Sequence, residues 1–195
     1  LENMAEVMHL GTLIRSYQAA DLGSILHTKH QYQFHTSYQP PQSVNVPHIA
    51  SWVSHEIGGI NPVLPNWINI GQQFVKGEKE ELKHFHSAGF LGAQHGPFVI
   101  SDPRQYLGSV NPPAGMDISR FEKRNSVYRD MLTSSPYADA LSDYQIEGFQ
   151  RSMEQAYALV KSPSAKAFDL SLEDDKTHES YGDSKFAKGC LMARR

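Results

Sequence analysis

Three histidines close together offer the clearest chemistry in this sequence: His27, His30 and His35 fall within one short segment. If that segment is helical, His27 and His30 share a face, because residues three apart are neighbours on a helix surface. Tyr38 follows shortly afterwards and can join them at one end of the helix. Paired imidazoles suit zinc or similar metals, whose sites carboxylates usually complete. The spacing alone leaves two interpretations open, a metal site or a set of surface and hydrogen-bonding histidines.

The sequence has none of the longer motifs that mark common catalytic sites. It contains no His-Glu-x-x-His of zinc proteases and no Gly-x-Ser-x-Gly of α/β-hydrolases. The glycine-rich passage at 88–98 lacks the Gly-Lys-Ser/Thr ending of a phosphate-binding loop. Cys190 lies in an apolar stretch, which indicates a structural role, and the acidic residues 173–175 are typical of an exposed face.

The composition of the chain limits the classes of partner that it is expected to bind. The chain has 195 residues, of which 39% are apolar and 20% charged, and its formal net charge is -3. This balance gives no electrostatic basis for binding nucleic acid or an anionic membrane surface. No run of about 18 apolar residues occurs, so no membrane span is predicted, and no export signal is visible. Leu1 in place of a starting methionine, and a helical pattern that continues to Arg195, lead us to expect a piece of a longer protein.

The positions of apolar and capping residues predict many helices and few strands. Strands are predicted at Thr12–Arg15 and at Trp67–Gly71, and a charged helix or loop at 75–86. Glycines in the passage at 88–98 predict tight turns. Helices are predicted over about 22–36, 46–57, 118–132, 143–161, 173–181 and 184–195. The pattern therefore predicts a helix-rich α/β chain whose sheet is incomplete.

The same pattern predicts how some of these helices start and which faces they bury. Ser43 or Asn45 is expected to cap the helix over 46–57, and Gly58 to end it. Phe168–Ser171 is expected to be extended or a cap segment. The faces expected to be buried are Ile49, Trp52, Val53 and Ile57 in the second helix, Ile146, Phe149, Met153, Ala156, Tyr157 and Val160 in the helix over 143–161, and Phe186, Cys190 and Leu191 in the last.

Short motifs spread over nearly the whole chain follow a recognisable order. They are Leu13-Ile14-Arg15-Ser16, His27 with Thr36-Ser37-Tyr38, Val46-Pro47-His48-Ile49-Ala50-Ser51-Trp52-Val53, Ala88-Gly89-Phe90-Leu91-Gly92 through Gly96-Pro97-Phe98, residues 167–171 with Glu173, Tyr181-Gly182, and residues 190–195. Each motif is short, and the ordered set is more specific than any member. Together they resemble a bacterial family of secreted, sulfatase-like proteins of unknown function within the alkaline phosphatase superfamily.

The resemblance implies a role for His27. In sulfatases, a Cys/Ser-x-Pro-Ser-Arg motif begins with the nucleophile, and a Thr-Gly pair follows nine residues later. His27 and Thr36 have that separation, so the resemblance places His27 at the nucleophile position, as a nucleophile, a metal ligand or an acid–base group. The residues at 28–31 depart from the rest of the motif, and Ser37 replaces the glycine. Because the formylglycine-forming cysteine is absent, sulfatase chemistry by that route is not expected.

The resemblance also implies a fold and a setting. It implies a partial three-layer α/β fold of the alkaline phosphatase type, with residues 1–195 forming a single domain in the middle of a larger one. The implied activity is hydrolysis of phosphate or sulfate esters, of small molecules or polysaccharides, in the periplasm or outside the cell. His30, Tyr38 and His95 are expected to contact the substrate. A divalent metal (zinc, calcium or magnesium) is expected, with His27 as a ligand, although this segment alone would not complete its coordination. The alternative is a non-catalytic secreted or surface protein that has kept the scaffold.

Overall fold

The structure, a computed structural model, describes residues 2–18, 21, 27–40, 42–71, 87–105, 110–112, 115–134 and 141–195. The predicted helix start at 22–26 and the charged stretch at 75–86 lie outside the described residues, as do the side chains of His27 and Thr28. The helices, in chain order, are α1 (Glu2–Val7), α2 (His27–Thr36), α3 (Ile49–Ile57), α4 (Ile118–Ser134), α5 (Asp143–Lys161), α6 (Asp175–Tyr181) and α7 (Lys185–Arg194). Short 3-10 helices span Met8–Leu10, Gly89–Leu91, Ala93–His95, Pro103–Gln105, Pro163–Phe168 and Leu170–Leu172.

Two short strands, β1 (Ile68–Ile70) and β2 (Phe98–Ile100), pair in parallel with Ile68 opposite Phe98. Within the described residues they form a two-stranded sheet, and a hydrogen bond of 2.7 Å from the Gly71 N–H to the Ile100 carbonyl extends the pairing by one residue. The prediction of a helix-rich α/β chain with parallel strands is confirmed. The predicted strand at 67–71 is confirmed as β1, whereas β2 emerges from the passage for which only turns were predicted.

Local capping signals explain the best-predicted helices. Ser142 and Gln145 form a reciprocal capping box at the start of α5, and Ser162 followed by Pro163 ends it at the predicted residue. Asp174 caps α6 through the Thr177 N–H, and Ser184 caps α7 through the Ala187 N–H. These side chains satisfy N–H groups that would otherwise lack partners at the helix starts.

The main hydrophobic core joins the sheet to the C-terminal third of the chain. Ile100 from β2 and Leu191 from α7 are both fully buried at its centre. The other buried members are Val110, Leu159, Phe168, Leu170 and Met192. A smaller cluster joins Tyr32 of α2 to Val46. Among the described residues no helix is long and apolar enough to cross a bilayer.

The predicted strand at Thr12–Arg15 is wrong. The segment is irregular and exposed, and no described strand lies beside it to complete a ladder. At 168–171 the cap alternative is confirmed: Asp169 has extended backbone and caps the second of two 3-10 turns through the Ser171 N–H.

The predicted start and buried face of α3 are also wrong. His48 caps the helix, not Ser43 or Asn45, and Gly58 ends it as predicted. Ile49, Val53 and Ile57 are 53%, 52% and 79% exposed, whereas Ser51 and Ser54 are buried. The buried side of α3 is therefore its serine side, which meets the segment around Ser87: the Ser51 hydroxyl donates to the Ser87 carbonyl at 3.2 Å.

The predicted buried stripes of the C-terminal helices hold only in part. In α7, Leu191 is fully buried and Cys190 half-buried as predicted, but Phe186 is 82% exposed. In α5, Leu159 and Gly148 are the buried residues, while Phe149 and Ala156 of the predicted stripe are exposed. The face of α5 that packs against the turn at Ala93–His95 is thus rotated from the predicted one, because Gly148 leaves room for Gln94.

Candidate functional site

The described histidines meet where α3 begins. His48 precedes α3, and its ring Nδ1 accepts a hydrogen bond of 3.0 Å from the Ala50 N–H. Since that nitrogen accepts, the neutral ring carries its proton on Nε2. The backbone N–H of His48 also donates to the Ser87 carbonyl at 3.0 Å. The ring is therefore fixed in both orientation and tautomer by the helix that it caps.

The proton on His48 Nε2 points to a second histidine. His48 Nε2 lies 3.0 Å from Nδ1 of His35, which sits in the last turn of α2. His35 Nδ1 therefore accepts, and its own proton is on Nε2. Burial and the neighbouring His35 lower the pKa of His48 to about 4, and burial lowers the pKa of His35. Both rings are neutral at physiological pH: His35 has to be neutral to accept from His48, and His48 has to be neutral to accept from Ala50.

An aromatic side chain completes this arrangement. The His48 ring stacks on Trp67, with ring centroids 4.7 Å apart and planes at 15°. The His35 ring lies beside His48, with centroids 4.9 Å apart and planes at 25°. Trp67 directly precedes β1, and its indole N–H donates to the His95 carbonyl at 3.0 Å. We refer to His35, His48 and Trp67 as the histidine–tryptophan stack. It joins α2, α3 and both strands.

His95 lies beside the stack in a polar environment. Its Nδ1 is 3.4 Å from the hydroxyl of Ser54, which accepts a hydrogen bond of 2.9 Å from the Asn66 amide. The ring of His55 lies 5.0 Å from that of His95, centroid to centroid. Burial, followed by the proximity of His55, lowers the pKa of His95. His95 is therefore a mainly neutral ring at physiological pH, able to donate or accept a hydrogen bond.

The histidine–tryptophan stack lies at one particular end of the two-stranded sheet, and that end bears on its function. Trp67 and His95 precede β1 and β2, so the stack lies at the amino ends of the parallel strands. In open α/β sheets, ligands bind outside the carboxyl ends of the strands. Those ends are Ile70 and Ile100, followed by Gly71 and by the ion pair of Asp102 with Arg104 at 2.6 Å. The stack thus occupies the end of the sheet that usually serves stability.

The chemistry available to the stack follows from its neutral rings. A base with a pKa of about 4, such as His48, is a weak proton acceptor near neutral pH, where a pKa close to the working pH is favoured. In the part of the chain that the structure describes, no three or more His, Cys, Asp or Glu side chains are grouped to hold a metal ion. The geometry therefore gives His35 and His48 a structural role, in which they hold the end of α2 against the start of α3.

Comparison with known proteins adds a family. A family model described as "Protein of unknown function (DUF1501)" matches residues 1–195. The chain belongs to the DUF1501 family. Neither the curated proteins nor the solved structures that were compared include a match to it. The family description names no activity, so the function of this DUF1501 chain has to be argued from its residues.

The residues proposed from the sequence lie in different surroundings in the DUF1501 chain. His27 is the first residue of α2, but its side chain lies outside the described residues. His30 is half-buried on the same helix, and Tyr38 is exposed just beyond it. In the described part of the chain, no hydrogen bond or ring contact joins His30 or Tyr38 to His95. The structure instead brings His95 together with Ser54, His55 and Trp67.

Sequence reasoning missed the central residues of the stack. The sequence points to His48 only as a member of the motif at 46–53, and to Trp67 only as a strand residue. Histidine is not among the preferred capping residues, so its place before Ile49 gave no capping signal. The contact between His35 and His48 spans 13 residues and a turn, and neither local propensity nor periodicity encodes such a contact.

Proposed function

We propose that this DUF1501 chain is part of a metal-dependent hydrolase of phosphate or sulfate esters, built on the three-layer architecture of the alkaline phosphatase superfamily. In this proposal, residues 1–195 belong to one domain, His27 stands at the active centre, and the protein works in the periplasm or outside the cell. His30, Tyr38 and His95 contact an ester of a small molecule or a polysaccharide.

One observation carries the proposal: the segment between His27 and Thr36 is a single helix. Residues His27–Thr36 are helical as α2, which fits the helix between nucleophile and Thr-Gly in the sulfatase pattern. Thr36 is buried, and its hydroxyl donates to the Tyr32 carbonyl at 2.7 Å. Ser37 has φ 65°, in the left-handed region that glycine adopts without cost. The serine that replaces the family's glycine therefore keeps the backbone shape for which glycine is suited.

The residues described next to His27 also suit an anionic substrate. Lys29 and His30 lie one turn or less from His27 along α2 and are half-buried. A lysine ammonium attracts phosphate and sulfate groups. An imidazole at this point serves as nucleophile, metal ligand or acid–base group, and all three roles are part of the proposal.

The proposal assigns this chain one ligand of a divalent metal. Zinc, calcium or magnesium would polarise the ester oxygen when bound, and His27 is the ligand assigned to it in this chain. The described residues offer no group of three or more donors, so the remaining ligands are not assigned among them.

A non-catalytic protein that has kept this scaffold is the second candidate. The histidine–tryptophan stack favours it, because His48 uses both ring nitrogens in structural hydrogen bonds, to Ala50 and to His35. A protein in which histidines are used in this way needs them for folding rather than for reaction. In this candidate, a surface or secreted role replaces hydrolysis.

Kinetics of the full-length protein separate the two candidates. Its metal content would be measured first, and then its hydrolysis of p-nitrophenyl phosphate, bis-p-nitrophenyl phosphate and p-nitrophenyl sulfate. The hydrolase predicts that His27→Ala lowers kcat/KM by about 100-fold or more, as loss of an acid–base group or nucleophile does. His9→Ala, at an exposed histidine on another helix, is the matched control. Equal activity of wild type and His27→Ala removes His27 from the mechanism, and a metal-free protein inert on all three esters supports the second candidate.

A further inference from the structure

Two further histidines, His55 and His95, lie against each other beside the histidine–tryptophan stack. His55 is in the last turn of α3, and His95 ends the 3-10 turn Ala93–His95 that precedes β2. Their ring centroids are 5.0 Å apart, with the planes at 63°. Two imidazoles that bind one zinc ion at about 2.0–2.1 Å in tetrahedral geometry have their centroids about 5 Å apart. The two rings therefore have the separation of a pair of metal ligands.

The hydrogen bonds of the two rings leave the same nitrogen open on each. His55 Nδ1 lies 2.9 Å from Oε1 of Glu56, and this nitrogen carries the proton because a carboxylate can only accept. His95 Nδ1 lies 3.4 Å from the Ser54 hydroxyl, whose oxygen has a lone pair for it besides the one that accepts from Asn66. With both protons on Nδ1, each ring has its lone pair on Nε2. No described residue is hydrogen-bonded to either Nε2.

The partners of Nδ1 are those that metal-bound histidines usually have. Such a histidine almost always donates its other N–H to a carboxylate, a carbonyl or water, and this contact fixes the tautomer and the orientation of the ring. Glu56 is the carboxylate for His55, and its position next in the chain keeps it close. The Ser54 hydroxyl, held by Asn66, is the weaker equivalent for His95.

The surroundings of the two rings leave room for a cation. The side chain of His55 is 42% exposed, so an ion can reach the pair from solvent. Trp52 contacts the His55 ring edge-on, with centroids 6.4 Å apart. Arg151 is near enough to His95 to lower the pKa of that histidine, which opposes a second cation. However, its guanidinium pairs with Glu147 on the same helix, and this carboxylate offsets much of its charge.

We propose that His55 and His95 together bind one divalent transition-metal ion through Nε2 of each ring. Imidazole ligands suit zinc, copper and nickel. The described residues provide no group of three or more donors, so water fills the remaining positions, and a bound ion keeps sites for an exchangeable ligand. This site is separate from the metal assigned to His27, and it does not rest on the proposed hydrolysis. It is tested with the metal alone, so a protein inert towards esters leaves it standing.

Calorimetric titration of the metal-stripped, full-length protein with zinc chloride tests the site. We expect saturable binding that His55→Ala weakens by tenfold or more, and this variant should fold because the side chain is partly exposed. Glu56→Gln keeps both zinc ligands and should weaken binding by about 10- to 100-fold, the usual effect of losing the carboxylate behind a metal-bound histidine. His9→Ala, at an exposed histidine on another segment, should bind as wild type does. No saturable binding by wild type, or equal affinity in His55→Ala, overturns the proposal.

A second measurement tests His95, whose replacement has a larger effect on packing. A metal that binds only the folded state raises the unfolding temperature, so each protein would be unfolded by heat with and without zinc. We expect zinc to raise the unfolding temperature of wild type and of His9→Ala, and to leave those of His55→Ala and His95→Gln unchanged. Because each variant is compared with itself, its own stability does not affect the result. The same rise in His95→Gln as in wild type would remove His95 from the site and overturn the proposal.

Discussion

Nε2 of His48 donates a hydrogen bond of 3.0 Å to Nδ1 of His35, and this contact ties the end of α2 to the start of α3. The tie exists only while His35 is neutral, since a proton on its Nδ1 removes the accepting lone pair, and the cap from Ala50 requires a neutral His48 for the same reason. The same His48 ring caps α3 through Ala50 and stacks on Trp67. One side chain therefore couples helix capping, helix–helix contact and the approach to the sheet.

Replacing His48 should destabilise the protein through two separate contacts. We expect His48→Ala to lower the free energy of unfolding by about 1–3 kcal/mol, from the lost cap and the lost hydrogen bond to His35. Urea unfolding measures this change. A double-mutant cycle with His35→Ala isolates the pair, with an expected coupling of about 0.5–1.5 kcal/mol. His9→Ala, at an exposed histidine, should change stability by less than about 0.5 kcal/mol; a zero coupling energy would show that the two rings act independently.

The lowered histidine pKa values predict a loss of stability in mild acid. His35, His48 and His95 all have pKa values below 6.5, so the unfolded chain takes up protons first as the pH falls. Their contribution to stability is present above about pH 6.5 and is lost on acidification towards the folded pKa, by at most about 1.4 kcal/mol per pH unit and group.

The carboxylates lose their contribution to stability in a lower pH range than the histidines do. Arg104 holds the pKa of Asp102 far below its usual value, and Tyr157 with Lys161 lowers that of Glu122 below 4.5. Their contributions are lost only below about pH 4.5. Urea unfolding at about pH 7, 6 and 5 therefore reports the histidines. The His35→Ala/His48→Ala double variant should lose less stability than wild type over this range, and an unchanged slope would place the titrating groups elsewhere.

Gly89 should tolerate no side chain, because backbone of another segment lies against it. Its φ is 50°, and a Cβ there would be 2.4 Å from the Asn45 carbonyl oxygen and 2.5 Å from the carbonyl carbon of Val46. Gly58 has φ 74° and nothing within 4 Å of the same position. Gly58→Ala should cost about 1–2 kcal/mol from backbone strain alone. Gly89→Ala should cost about 1–3 kcal/mol more, measured by thermal or urea unfolding; equal costs would mean that the segment at 45–47 moves away freely.

Ser37 is a residue whose replacement by glycine should help. At φ 65°, a residue with a Cβ carries about 1–2 kcal/mol of strain that glycine avoids, partly offset by the greater freedom of glycine in the unfolded chain. Ser37→Gly should therefore raise the free energy of unfolding by about 0.5 kcal/mol. Ser43→Gly, at an exposed residue with no left-handed backbone, is the control and should not stabilise. A loss of stability in Ser37→Gly would show that the serine side chain has a role of its own.

The elements that could be predicted from the sequence are those marked by residues at or next to their own ends. α5 begins and ends at the predicted residues because Ser142 and Pro163 mark its ends, and the ends of α6 and α7 carry similar caps. Thr12–Arg15 has β-forming residues too, yet a strand also needs a neighbour, and that requirement is not visible in a short segment. The site shows the same limit. His35, His48 and Trp67 lie on three different elements, so only the fold of the whole chain brings their rings together.

The face of α3 that is buried is not the one that its apolar residues predict. Apolar periodicity placed Ile49, Val53 and Ile57 in the core, but the structure buries Ser51 and Ser54. Ser51 is fully buried and donates to the Ser87 carbonyl, so its side is closely packed. Ile57→Gln, at an exposed position, should change the free energy of unfolding by less than about 0.5 kcal/mol. Ser51→Leu should lower it by about 1–3 kcal/mol or more, from overpacking and the lost hydrogen bond. Urea unfolding of both variants decides between the two faces: a large loss in Ile57→Gln with a tolerated Ser51→Leu would show that the periodicity had identified the core face correctly.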